Sequence, residues 1–197
     1  WERQAVGEPM TPPIVYKGYL FVVGTYYNLL ALDIDPSSPT YRSRLWYSPA
    51  TYGFSSPAAA YGTIYSGDLD GILFLVNAFD GGIFRIINFG EAIYAPIAIS
   101  VAFSPPYIIV TRNVGDVWVI EAQSGNHWVK GGYSITPGVV PVVAGKKLYL
   151  AEWNGNVYAA DLETGLRLWT TRVGQYPTSG SNGLVATGRY LYVRTAD

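Results

Sequence analysis

The stretch Ala159-Ala160-Asp161-Leu162-Glu163-Thr164-Gly165-Leu166-Arg167-Leu168-Trp169 decides the fold. It follows a strand-like run, Lys147-Leu148-Tyr149-Leu150-Ala151, and a polar turn, Asn154-Gly155-Asn156. The same order of strand, turn, strand, acidic residue and second turn recurs upstream. Regular recurrence at about 40–45 residues marks stacked or radial units rather than one irregular domain.

The period is read from the strands that follow a Gly or Pro turn. Leu20, Ile64, Ile108, Leu148 and Leu191 are equivalent positions, at steps of 44, 44, 40 and 43 residues. Pro13, Pro57 and Pro141 each stand seven residues ahead of such a position and open a short apolar run. Proline cannot donate to a ladder, so it suits the start of a strand. The third unit uses Pro96, and an insertion around 100–105 lengthens its connection. A second strand follows in each of the first four units: Leu29–Leu32, Ile72–Val76, Val117–Ile120 and Val157–Ala160. Asp70-Gly71, Gly115-Asp116 and Asn154-Gly155 precede three of them, and such pairs tolerate the positive φ of a tight hairpin. Asp33, Asn77, Glu121 and Asp161 close these strands, and Gly81, Gly125 and Gly165 mark the next turn. A last strand ends near Trp46, 84–87, Trp128 and Trp169.

Each unit therefore reads as four short antiparallel strands, the meander of a propeller blade. No stretch has sustained apolar spacing of helical period, so long helices are not expected. The fold class is all-β: a β-propeller of four-stranded antiparallel blades with about 4.5 repeats. The repeats run roughly over 2–46, 47–88, 89–129 and 130–169, with a partial one over 170–197, all in a single domain or segment spanning 1–197. Trp1 falls where Trp46 and Trp169 fall. The chain is expected to be a segment of a longer repeat protein, an arc of a larger ring, or a ring whose last blade a short N-terminal strand completes. A β-sandwich also uses many short strands. It would not need one strand-and-turn order four times at one period.

Composition narrows the function. The 197 residues are 49% hydrophobic, and 17 are tyrosine. Charged residues make up 14%, against about a quarter in an ordinary soluble domain. A net charge of −1 gives a phosphate-binding surface no support, so no nucleic-acid partner is expected. With no cysteine, disulfides, thiolate metal sites and cysteine nucleophiles are excluded. No apolar run reaches about 18 residues, so no membrane-spanning helix is expected. Low charge with many Tyr, Thr and Ser suggests an extracellular or cell-envelope (periplasm-like) protein.

The pattern at Ala159, Asp161, Thr164, Gly165 and Trp169 resembles the repeat of quinoprotein-type (PQQ-like) β-propellers. Pro141-Val142-Val143-Ala144-Gly145-Lys146-Lys147-Leu148-Tyr149-Leu150 is similar to the strand that precedes it in that family. Ala31, Asp33 and Trp46 match more loosely, with about five extra residues around 36–41. In the second and third units Asn77 and Glu121 replace the Asp, and Arg85 or Val129 falls at the Trp position. The resemblance implies that these Ala, Gly and Trp positions lock neighbouring blades together, with Asp and Thr as further structural repeat positions. It does not imply an activity. Quinoprotein dehydrogenases of the family place a quinone and a calcium ion on the propeller axis. Many relatives use the ring as a binding platform.

No catalytic, cofactor-binding or metal residue is assigned. His127 is the only histidine and reads as a turn residue in Ser124-Gly125-Asn126-His127-Trp128. Gly67-Asp68-Leu69-Asp70-Gly71 begins like a calcium loop but lacks the remaining ligands, and hairpin-turn chemistry explains it. Trp153, with Tyr26 and Tyr27 at the corresponding place in the first unit, is a candidate for an exposed aromatic binding face. The expected function is a non-catalytic protein- or ligand-interaction platform without cofactor. One alternative is a segment of a PQQ-dependent dehydrogenase, needing PQQ and calcium. The other is a building block of a surface assembly, self-associating through blade edges.

Overall fold

The computed structural model describes residues 11–24, 28–49, 55–112, 115–125, 127–130, 140–152, 154–174, 183–187 and 189–194. The chain divides into two compact units, Trp1–Pro96 and Ile97–Asp197. Every regular element among the described residues is a β-strand.

The first unit holds two four-stranded antiparallel sheets. One is β1 (Ile14–Tyr16), β2 (Tyr19–Gly24), β3 (Asn28–Asp33) and β4 (Arg44–Ser48). The other is β5 (Ala58–Ala60), β6 (Thr63–Gly67), β7 (Ile72–Asn77) and β8 (Ile83–Asn88). The second unit holds two more four-stranded sheets and a two-stranded one. These are β9 (Ala98–Ser100), β10 (Tyr107–Thr111), β11 (Val117–Glu121) and β12 (His127–Lys130), then β13 (Val142–Ala144), β14 (Lys147–Ala151), β15 (Asn156–Asp161) and β16 (Arg167–Arg172), then β17 (Leu184–Thr187) and β18 (Tyr190–Val193). In each sheet the spatial order is the chain order, which is the meander of a propeller blade. The chain is an all-β propeller fold, and the sheets are called blades 1 to 5 below.

Each blade is apolar on both faces, so a neighbouring blade must cover it. Phe21, Val23, Leu29, Ala31 and Trp46 of blade 1 pack with Ile64, Val76 and Ala78 of blade 2. In the second unit, Ile109, Val117 and Val119 of blade 3 pack with Leu148, Leu150, Tyr158 and Leu162 of blade 4. Ala151 and Val157 of blade 4 meet Leu184 of blade 5, with Leu191 and Val193 against them.

The turn after the third strand is built from one acceptor side chain. Asp161 Oδ1 accepts from the Thr164 amide and hydroxyl, each at 2.8 Å, and from the Glu163 amide at 3.2 Å. Asn77 accepts from the Phe79 amide, and Glu121 from the Gln123 and Ser124 amides. Such residues hold a turn by bonding backbone two or three residues on. Gly81, Gly125 and Gly165 then adopt φ of +75°, +76° and +69°. In blade 1 the extra residues at 36–41 displace this point, and Arg42 takes it at φ +67°. Its amide bonds the Asp33 carbonyl, as the Gly165 amide bonds the Asp161 carbonyl.

The insertion expected near 100–105 is the six-residue link 101–106 between β9 and β10, where the other blades use two residues. The last strands run past the expected end, β16 reaching Arg172 and β8 Asn88. One register expectation is corrected. Arg85 pairs with Leu75 as Trp46 pairs with Ala31 and Trp169 with Ala159, but in blade 3 Trp128, not Val129, holds that position opposite Val119. Blades 1, 2 and 4 carry a bulge there, and no bulge interrupts the β11–β12 ladder, so spacing counted from the other blades overshoots by one residue.

A Cβ on Gly81 would lie 2.6 Å from the Trp46 ring, at a φ that L-residues resist. Gly81→Ala should therefore cost about 2–4 kcal/mol, combining left-handed strain with overpacking. Arg42→Gly should gain up to about 1 kcal/mol, because relief of that strain exceeds the added chain entropy. Denaturant midpoints of the two variants check both signs.

Candidate functional site

Two kinds of feature are candidates: the repeat positions, and the hairpin ends between the second and third strands.

Among the repeat positions, Ala31 and Ala159 are completely buried, and Asp33 is 1% exposed. Asp33 accepts hydrogen bonds from the Ser38 and Thr40 hydroxyls and the Asp35 amide. The Ser38 bond is the main cause holding its carboxyl below the usual range. Asp161 is held low chiefly by the Thr164 hydroxyl. Gly165 is buried and Thr164 exposed. Trp46 is 8% exposed and donates from Nε1 to the Ala78 carbonyl at 3.2 Å, across to the next blade. Trp169 is 38% exposed. Trp1, Tyr26, Tyr27 and Trp153 lie outside the described residues.

The hairpin ends carry acidic groups that are almost fully buried: Asp68 (1% exposed), Asp116 (7%) and Glu152 (5%). In blade 2 the Asp68 carboxyl accepts from the Ile72 amide at 2.7 Å, and its carbonyl accepts from Gly71 and Ile93. This is a hairpin turn. Burial pushes the Asp68 carboxyl above its usual value. Two residues earlier, the buried Ser66 hydroxyl has no hydrogen-bond partner among the described residues.

In blade 3 Arg112 and Asp116 face each other across the hairpin. Arg112 Nε donates to Asp116 Oδ1 at 2.8 Å and Nη2 donates to Oδ2, a two-pronged ion pair. Trp118 Nε1 donates to Asp116 Oδ2 at 3.3 Å, and the Arg112 guanidinium lies 5.3 Å from the Trp118 ring centre. The exposed His127 ring stacks on the same indole at 5.0 Å and 24°. In blade 4, Asn156 Nδ2 donates to Glu152 Oε2 at 3.2 Å.

These carboxylates are engaged with neighbours on their own hairpins. The chemistry they perform is to hold turns rigid. No group of three His, Asp or Glu residues that could hold a metal occurs among the described residues. The sequence reading placed His127 in a turn but missed the Arg112–Asp116–Trp118–His127 cluster. Its signal was available: Arg112 and Asp116 flank a Gly-containing hairpin symmetrically, and Trp118 and His127 are diagonal neighbours on paired strands.

Residues 95–197, just over half of the chain, match the family model described as outer membrane protein assembly factor BamB, of the PQQ-like type. The chain belongs to this PQQ-like repeat family. No curated protein matches it in sequence. Among solved structures, BamB from Moraxella catarrhalis is similar with a TM-score of 0.66 and 16% identity, covering 91% of this chain and 56% of that one. The computationally designed protein Ika8 gives 0.65 and 12%, covering 91% of this chain and 53% of its own. Quinohemoprotein alcohol dehydrogenase from Comamonas testosteroni gives 0.66 and 15%, covering 84% and 35%. These likenesses concern the fold. The chain spans about half the length of the first two structures and about a third of the last.

Asp68→Asn keeps an acceptor for the Ile72 amide and removes the buried charge. A carboxyl whose folded pKa is raised above the ordinary 3.8 contributes stability that is present at low pH and lost as pH rises through the folded value. The stability of Asp68→Asn relative to wild type should therefore increase from about pH 4 towards pH 7. Denaturant melts across that interval measure it, and a flat difference refutes it.

Proposed function

We propose that this chain is a non-catalytic protein-binding platform of the cell envelope. The match of residues 95–197 to a family named for outer membrane protein assembly carries this reading. No cofactor is needed for it, and no nucleic acid takes part. The partner is a protein met through exposed parts of the blades.

The outer strands support a protein partner. On β8, Ile83, Phe84 and Ile86 are 39%, 60% and 56% exposed, and Phe79 on the preceding turn is 51% exposed. Clustered apolar side chains on a fourth strand mark a contact surface more often than isolated ones do. The strand also offers an edge that pairs, among the described residues, with β7 alone. Self-association through such edges is the building-block alternative.

A second reading is favoured by the fold likeness to quinohemoprotein alcohol dehydrogenase: a propeller segment of a quinone enzyme. Under that reading PQQ and calcium would be required, and no residue described above is assigned to them.

The two readings part experimentally. Immobilised chain should retain a discrete envelope protein identified by mass spectrometry. Phe84→Ser with Ile86→Thr should reduce that retention at least tenfold while leaving the melting temperature within a few degrees, since surface substitutions rarely change stability much. Dye reduction on adding PQQ, calcium and an alcohol would favour the enzyme instead. Concentration-dependent oligomers lost in the same variant would favour self-assembly.

A further inference from the structure

The first turns of blades 1 and 2 are two-residue hairpins in which both central residues have positive φ. Tyr16 pairs with Tyr19 around Lys17 (φ +48°) and Gly18 (φ +80°), and Ala60 pairs with Thr63 around Tyr61 (φ +49°) and Gly62 (φ +78°). Turns of this type favour Asn-Gly or Gly-Gly, because a large side chain is strained at the first position. Blade 4 shows the unstrained solution, with Gly145 there at φ +58°. Burial does not compensate blade 2, since Tyr61 is 57% exposed. Backbone strain of this kind gathers at sites where function requires a particular side chain.

The surroundings of Tyr61 form a rigid platform. The Ala78 amide donates to the Gly62 carbonyl at 2.9 Å and so brings Phe79 beside the turn. A Cβ on Gly62 would lie 3.3 Å from the Phe79 ring, so glycine lets the ring come close. Phe79 is 51% exposed and stands edge-on to Tyr19 at 6.3 Å and 79°. The Tyr16 hydroxyl accepts from the Gly62 amide at 2.8 Å, fixing the turn of blade 2 to blade 1. Lys17 Nζ lies 5.7 Å from the Tyr16 ring centre and 5.9 Å from that of Phe79. Two exposed carboxylates flank the platform. Asp80 follows Phe79 in its turn, and Asp35 lies against Gly18, where a Cβ would be 3.5 Å from its own. The repeat does not demand these rings. At the position of Phe79, two residues after the acceptor that holds the second turn, blades 1, 3 and 4 carry Asp35, Gln123 and Glu163.

We propose that Tyr61, Phe79 and Lys17, with Asp35 and Asp80, form a binding subsite for a neutral saccharide, a pyranose chain laid across the turns of blades 1 and 2. A pyranose has an apolar C–H face that packs on an aromatic ring and a rim of hydroxyls that both donate and accept. The platform offers both halves of that match: two rings about half in solvent, an ammonium donor and carboxylate acceptors. Its mixed charge disfavours ionic partners. Two aspartates against one lysine repel an acidic chain, and the Lys17 ammonium already takes the place by Tyr16 and Phe79 where a partner's cation would stack. This subsite is separate from the outer-strand protein contact proposed above and borders it only at Phe79.

The test titrates the 15N-labelled full chain with chitotetraose, cellotetraose and maltotetraose, read by amide chemical shifts and calorimetry. At least one should shift the amide resonances of the two turns saturably, with a Kd in the millimolar range or below. Tyr61→Gly should weaken that binding about tenfold, the loss of one stacking contact, while raising the denaturant midpoint because it relieves left-handed strain. A merely structural Tyr61 would lower the midpoint instead. Phe79→Ala should weaken binding to a similar extent. Tyr190→Ser, which removes an exposed ring from blade 5, should leave it unchanged. Absence of saturable binding to all three saccharides at their solubility limits overturns the inference, as does binding that Tyr61→Gly leaves intact. Loss of protein retention in Tyr61→Gly without any saccharide binding also overturns it and assigns the platform to the protein partner.

Discussion

The seating of Trp46 on its neighbour is the contact on which the first unit depends. Its indole proton reaches the Ala78 carbonyl, its ring rests on Gly81, and Phe21 closes the side. A four-stranded meander with apolar residues on both faces has no inside of its own. It becomes stable only when the next meander covers it, so stability resides in interfaces as much as in blades, as in other repeat proteins. The shape of the blade 2 turn follows from this need. After its third strand it presents Ala78 and Gly81 to the indole of the preceding blade, and the Asn77 side chain holds it in place.

Most of the strand plan was legible because it rests on local chemistry. Alternating apolar residues, a proline before the first strand and Asn/Asp-Gly pairs specify hairpins without reference to anything distant. What escaped the sequence was set by pairing between strands. Counting residues placed Val129 opposite Val119, whereas the ladder places Trp128 there, because a bulge present in three blades is absent from the third. Counting also made Trp46 and Trp169 equivalent. They share a register but differ almost fivefold in exposure, since a residue's burial depends on the neighbouring blade and not on its own repeat. The cluster around Asp116 was missed for a similar reason: its members come from the β10–β11 hairpin, β11 and β12, and meet only when those strands pair.

The two ends of chemical interest divide their labour. At the hairpin ends, buried carboxylates meet an arginine, an indole, an asparagine or backbone amides of the same hairpin. Groups so engaged give loops a fixed shape. On the fourth strands the situation reverses: side chains such as Phe84, Ile86 and Leu168 stand in solvent. Rigid polar ends and an apolar outer rim suit a scaffold that presents surfaces. Arg42 fits the same view, for blade 1 tolerates a strained residue where other blades use glycine because its turn is held by an Asp33 network several bonds strong.

Every described ladder joins strands that are adjacent along the chain. Among the described residues no blade draws its ladder hydrogen bonds from a distant segment. Topology of this kind has low contact order within each sheet, which favours rapid closure once a repeat is available. A nascent chain can therefore zip up one blade while the next is still being synthesised. The apolar face of the newest blade is then bare for the time needed to make about 40 residues, at roughly 5–20 residues per second. The interval of greatest vulnerability to misassembly is thus set by the speed of the ribosome, and recurs once per repeat.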